Sequence, residues 1–339
     1  MMFSSSVADA PQIREPLHAP VAHLIRGGVV EGIHYGSVVV LDTDGKVQLQ
    51  IGDIEAAFYP RSALKPVQAV AMVRAGLPLD GELLSLAAAS HSGEERHIAG
   101  VRRILGLAGL TEDHLRNVPD MPFDPAVRDI WVREGREPSR LAQNCSGKHA
   151  AMLYTCKLNG WSLDDYLDPA HPLQQAIAEI VEDLTGQRIA QVTVDGCGAP
   201  LFSVSLHGLA RAGARITTAV DGTPEARVAD AMRTYAETAS GAGRDVAALM
   251  HAVPGLLAKD GFEGVQVAAL PDGRAVAVKI ADGASRARIP VTAAGLARAG
   301  VEPELLAEFT GEPLLGGGEP VGCVRAVRAL DPVPLGACA

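Results

Sequence analysis

Between residues 29 and 51 apolar and polar positions alternate with a period near two, the signature of half-buried strands. Residues 29–34 and 37–41 read as strand, and Asp42-Thr43-Asp44-Gly45 as a hairpin turn. Val47, Leu49 and Ile51 then share one face of a returning strand. From residue 67 the pattern changes. Residues 67–73 are apolar on nearly every side, as in a buried helix, and helical patterns dominate the next ~200 positions. Helical runs are expected over 82–89 and 97–110, and from Asn144 to a stop at Asn159-Gly160. Further runs cover 172–184, 202–212 and 223–239, with a short capped turn at Thr111-Glu112-Asp113. Four prolines predict a loop over 117–138. Residues 189–194 form a short extended run that ends in the tight turn Asp195-Gly196-Cys197-Gly198-Ala199-Pro200. From Gly264 strands return: 265–270 and 274–280 flank the hairpin turn Pro271-Asp272-Gly273. Residues 286–299 mix strand and helix character, and 321–327 form a last strand.

Strands, then helices, then strands imply an α+β fold. The economical packing is one antiparallel sheet made from both chain ends, with a large helical lobe inserted between them. Residues 1–20 read as a loosely held arm and 21–335 as a single domain, with the sheet in 21–58 and 262–330 and the lobe in 59–261. A small-molecule site belongs in the cleft between lobe and sheet.

Composition narrows the function. The chain has 339 residues, 47% hydrophobic and 21% charged, which is the balance of a soluble globular protein. A net charge of −10 and only 4% aromatic residues argue against nucleic acid as a partner. No apolar run reaches the roughly eighteen residues of a membrane span, and 1–20 lacks the apolar segment of a secretory signal. Five scattered cysteines do not form a disulfide framework, so a reducing cytoplasm is the expected compartment.

The candidate chemistry centres on Tyr59-Pro60-Arg61-Ser62-Ala63-Leu64-Lys65-Pro66, where extended chain gives way to helix. Ser62 and Lys65 are three apart and share a face of a first helical turn. A serine needs a base to become a nucleophile, and a lysine whose charged form is disfavoured can be that base. Pro66 biases Lys65 away from α geometry, which favours a 3₁₀ turn that would stack the pair directly. Ser92 ends an apolar run in Ser90-His91-Ser92-Gly93, and Lys279 is the only charge in the alternating strand 275–280. Each also has a plain structural reading, as a turn hydroxyl and a solvated strand face. Cys145 and Lys148 share a face at a helix start, where a thiol can act as nucleophile or metal ligand. Cys197 lies in a glycine-flanked turn. By spacing alone the cysteines make a poor zinc pattern, and His91 and His97 do not stack as a metal pair.

Taken in order, Arg-Ser-Ala-Leu-Lys-Pro (61–66), Ser-His-Ser-Gly-Glu (90–94), Asn-Cys-Ser-Gly-Lys-His-Ala (144–150), Asp-Gly-Cys-Gly-Ala-Pro (195–200) and Glu-Gly-Val (263–265) followed by Ala-Val-Lys-Ile-Ala-Asp-Gly (277–283) resemble the asparaginase II family, the rhizobial type. The resemblance covers about residues 22–330. It implies a fold similar to glutaminases and serine β-lactamases and hydrolysis of L-asparagine to aspartate and ammonia. It further implies two serine–lysine pairs, Ser62 with Lys65 and Ser92 with Lys279, leaving open which serine forms the ester. Arg61, His91, Asp195 and Gly196 would bind the substrate, and Cys145, Lys148 and Cys197 would hold zinc. A homodimer is implied too. The sequence departs from the family's usual Gly-Ala-Glu-Gly-Val at Gly261-Phe262-Glu263-Gly264-Val265, where a bulky Phe262 is expected to disturb loop packing. A glutaminase or other acyl-serine amidohydrolase, an enzyme with Cys145 as nucleophile, and a non-catalytic amino-acid or zinc-binding protein are the alternatives.

Overall fold

A computed structural model describes residues 15–330. The strands are β1 (Ala19–Arg26), β2 (Val29–Leu41), β3 (Val47–Ile51), β4 (Val192–Val194), β5 (Pro200–Phe202), β6 (Leu257–Gly261), β7 (Val265–Ala269), β8 (Ala275–Ile280), β9 (Gly311–Gly316) and β10 (Glu319–Ala326). Eight of them form one antiparallel sheet in the order β6-β7-β8-β2-β1-β10-β9, with β3 also paired to β2. β4 and β5 make a separate ribbon. β2 is long enough to pair with β1 along residues 29–36 and with β3 along 38–41. Both chain ends thus meet in one sheet, and the α+β architecture is as the element order implies.

The helices are α1 (Lys65–Arg74), α2 (Gly81–Ala87), α3 (Glu95–Leu107), α4 (Pro125–Arg133), α5 (Ser146–Asn159), α6 (Pro172–Thr185), α7 (Leu206–Thr217), α8 (Pro224–Thr234), α9 (Ala236–Ala239), α10 (Asp245–Ala252), α11 (Arg288–Arg298) and α12 (Pro303–Leu306). Two of them clamp the sheet. A Cβ on Gly213 of α7 would lie 3.0 Å from Val267, and one on Gly295 of α11 would lie 2.6 Å from Val276. Alternation puts Val267 and Val276 on opposite faces, so the sheet is covered on both sides at β7 and β8.

Several elements depart from the sequence reading. Residues 117–138 contain a helix, α4, because Pro125 occupies its first turn and Asp124 caps it by accepting from Val127 N at 3.0 Å. The mixed pattern at 286–299 is helical, as α11 is buried along most of its length. The sheet's second part begins at Leu257, not 262, and that extra strand carries Lys259. It was hidden because all but one of its five residues are buried, which erases period-two alternation. β1 starts at Ala19, inside the expected arm; the rest of that arm up to residue 14 lies outside the described residues. Cys145, Cys156 and Cys197 are free thiols, whereas Cys323 is disulfide-bonded. No helix among the described residues is long and apolar enough to cross a membrane.

Candidate active site

Arg61–Leu64 form a 3₁₀ turn that runs directly into α1, as Pro66 leads one to expect. Arg61 stands at φ +54°, a left-handed conformation that is costly for a side chain of this size. β6 presses against the turn from the sheet side. A Cβ on Gly261 would lie 2.2 Å from the Pro60 carbonyl oxygen and 3.2 Å from Ala63 N, so only glycine permits this approach. Ser62 is half-buried and Lys65 is 1% exposed. Lys65 Nζ donates to Ala89 O at 2.6 Å and to Ser90 Oγ at 3.0 Å. Among the described residues no hydrogen bond joins it to Ser62 Oγ.

Lys259, on β6, is a second fully buried lysine in this space. Its Nζ donates to Asp260 O at 2.8 Å and to Asp260 Oδ1 at 2.5 Å. Burial pushes its pKa down to about 8; the Asp260 charge opposes the fall and the nearby Lys65 charge adds to it. Burial works to raise the Asp260 carboxyl, but Lys259, Arg244 and Arg288 hold it far below the usual carboxylate range. Arg244 donates to Asp260 Oδ2 at 2.6 Å and to Ser90 O at 3.4 Å, and lies 4.7 Å over the Phe123 ring. Lys65, Ser90, Lys259, Asp260 and Arg244 therefore form one connected buried network. Sequence reasoning missed four of the five. Ser90 stood two positions before the serine it chose. The legible signal for the others was Lys259-Asp260-Gly261, two charges in an otherwise apolar segment ending in a glycine.

Among the described residues, the Ser92 and Lys279 side chains make no hydrogen bond to that network. Ser92 is fully buried, donates to Ser240 O at 3.2 Å, and is roofed by Gly241, where a Cβ would collide with its hydroxyl at 1.8 Å. Lys279 donates to Glu263 O at 2.8 Å and Ile280 O at 2.5 Å. It lines a cavity of about 200 Å³ with His18, Ser37, Asp53 and Phe58. Burial lowers its pKa, with Glu263 and Asp282 opposing. No hydrogen bond joins Ser92 to Lys279 among the described residues.

At the mouth, Arg61 Nε donates to Asp195 Oδ1 at 2.6 Å, and Gly196 N donates to the same oxygen at 2.8 Å. Burial tends to raise the Asp195 carboxyl, but Lys148 and Arg61 prevail and hold it below its ordinary value. His91 is fully buried beneath. Gly93 N donates to its Nδ1 at 3.2 Å, so Nε2 carries the proton and donates to Ser146 Oγ at 2.8 Å. Its ring stacks on His97 at 5.1 Å. Burial first, and then the charges of His97, Lys65 and Arg244, keep it neutral. His91 thus joins Gly93 to Ser146.

The three expected metal ligands do converge. Cys145, Lys148 and Cys197 are 4%, 2% and 2% exposed, and Lys148 Nζ donates to Cys197 Sγ at 3.4 Å. A hydrogen bond from Cys145 and the Lys148 charge hold the Cys197 thiol far below its ordinary value, against burial. The same bond and burial push Cys145 up to about 12. Two sulfurs and an amine suit a borderline-soft ion such as zinc, leaving a fourth tetrahedral position for water. Binding would require Cys145 and Lys148 to lose their protons. Among the described residues no three His, Cys, Asp or Glu side chains cluster as a metal cage, so the amine is indispensable to this set.

The L-asparaginase II family model matches residues 22–326. No curated protein matches the chain. Among solved structures the chain is similar to Mglu in its native form (18% identity, TM-score 0.40), over 80% of this chain and 62% of that one. It is also similar to a β-lactamase from Mycobacterium bovis (14% identity, TM-score 0.40), over 81% and 95% of the two chains. A Bacillus glutaminase follows, at 14% identity and TM-score 0.38 over 72% and 83%.

Proposed function

Since the chain belongs to the L-asparaginase II family, we propose that it is an amidohydrolase and that it cleaves the side-chain amide of L-asparagine, giving L-aspartate and ammonia, through an acyl-serine intermediate. The observation that carries this reading is the buried network of Lys65, Ser90 and Lys259, whose Lys65 directly follows the turn that carries the half-buried Ser62.

The outward N–H groups of Arg61 would receive the substrate's α-carboxylate, and the carboxylate of Asp195 its α-ammonium. Ser62 then attacks the amide carbon. Its proton passes to Lys65, whose nitrogen already engages Ala89 O and Ser90 Oγ and has one position left. The same proton goes on to the departing nitrogen, which leaves as ammonia. The Ser62 N–H would help hold the oxyanion, since Ala63 N already donates to Pro60 O at 3.1 Å and Lys65 N to Ser62 O. Water next hydrolyses the β-aspartyl ester, its proton returning to Ser62 through the same lysine. The Lys65 charge adds to burial in pushing the neighbouring Lys259 down to about 8.

Cys145, the rival nucleophile, is buried and holds its proton up to about 12, so it is poorly suited to attack. Cys145, Lys148 and Cys197 would instead hold zinc, which when bound fixes the turn that carries Asp195. Ser92 and Lys279 are occupied elsewhere and are assigned no step. A homodimer is the expected state, which sedimentation would check; the Cys323 disulfide weighs against the expected cytoplasmic compartment, and fractionation would decide. Ammonia release from L-asparagine and L-glutamine, set beside the colour change of a chromogenic cephalosporin, tests the whole reading. L-Asparagine should give the highest kcat/KM, and no turnover of any of the three would leave a non-catalytic binding protein as the better account.

A further inference from the structure

Phe262 immediately follows β6, and 59% of its surface is exposed. An aromatic ring left this open at the edge of a site gains little from burial, so its contacts on the protein side need another explanation. The ring lies 5.5 Å from the Arg61 guanidinium carbon, within cation–π range. Arg61 is held on a second side by Asp195, and its Nη2 lies beside Gly196, where a Cβ would stand 3.5 Å away. A four-carbon-deep arginine normally samples many rotamers, and ordering one costs entropy that binding must otherwise supply. Here two neighbours from two parts of the chain, Asp195 in the turn after β4 and Phe262 after β6, hold the guanidinium before any ligand arrives. The arginine also precedes Ser62 in a left-handed backbone conformation, so disorder in its side chain is one bond away from the attacking residue.

We propose that Phe262 is a positioning residue for substrate specificity, which holds the Arg61 guanidinium face so that its outer N–H edge is presented to the α-carboxylate of an amino-acid amide. This rests on the asparagine-hydrolysing reading above. The loop substitution noted in the sequence therefore touches recognition as well as packing. Phe262 acts only through Arg61. It should matter for amides that carry an α-carboxylate and not for those that lack one.

The experiment compares kcat and KM for L-asparagine and for 3-aminopropanamide, which has the same amide and amine but no α-carboxylate, in wild type, Phe262→Ala, Phe262→Leu and Phe262→Tyr. In Phe262→Ala and Phe262→Leu the preference for asparagine should fall about two- to fivefold, through KM and with kcat nearly kept. Phe262→Tyr, which retains a ring face, should restore it. Leucine keeps the bulk, so a loss in Phe262→Leu assigns the effect to the ring and not to filling. A wild-type protein that hydrolyses asparagine while Phe262→Ala keeps the full preference overturns this inference alone. A wild-type protein that releases no ammonia from asparagine overturns the functional reading and this inference with it.

Discussion

Lys65 and Lys279 each stand three-dimensionally where a serine hydrolase could use an amine: one at the start of the first helix of the lobe, the other on β8, on the sheet face that α7 covers. Their surroundings differ in kind. Lys65 is sealed, meets a serine hydroxyl, and shares its space with a second buried lysine whose pKa falls to about 8. Lys279 is only partly buried, spends its hydrogen bonds on two backbone carbonyls, and meets no serine hydroxyl among the bonds that the described residues make. A carbonyl can accept but never give up a proton, so a lysine tied to carbonyls has nothing to activate. The lesson is that a lysine near a cleft becomes a base through what it touches and through what charge lies beside it.

The largest expected effect comes from deleting the amine on one side of this contrast. Lys65→Met should lower kcat for asparagine by about 10²–10⁴-fold, measured as ammonia release, with the circular dichroism spectrum unchanged. Next, the buried pair should appear in the pH profile. Burial depresses the Lys259 pKa to about 8, so its charge stands beside Lys65 below that pH and is lost above it, and the kcat/KM profile should inflect there. In Lys259→Met that inflection should vanish. A smaller effect follows at the neighbouring corner: Cys197→Ser should strip bound zinc from the untagged protein, read by metal analysis, and lower its melting temperature. Smallest of all, Lys279→Ala should leave kcat within about threefold of wild type. A deep loss there would reverse the contrast.

The sheet from both chain ends was legible because the run that becomes β2 and β3 alternates around the Asp42–Gly45 turn, and because Pro271-Asp272-Gly273 marks the hairpin between β7 and β8, which are themselves almost wholly buried. Helix stops were legible where glycine was needed, as at Gly160 and Gly186, both left-handed caps. β6 was not, since burial removed its polar face and placed Lys259 and Asp260 where charges are not expected in a strand. The Ser62–Lys65 spacing located the turn but not the hydrogen bond, which depends on a loop 25 residues away that brings Ser90 to Lys65. For the same reason Ser92 and Ser90 could not be told apart, because only packing beneath Gly241 shows that Ser92 is roofed over. The convergence of Cys145, Lys148 and Cys197 is a tertiary fact as well, since 49 residues separate the lysine from the second cysteine.

The central claim is that the network around Lys65 serves Ser62. Steady-state ammonia release from L-asparagine by Ser62→Ala and Ser92→Ala, assayed side by side at equal folded protein, tests it most directly. Ser62→Ala should lose about 10²–10⁴-fold in kcat while Ser92→Ala stays within about tenfold of wild type. Full turnover in Ser62→Ala, or the deeper loss in Ser92→Ala, would contradict the account.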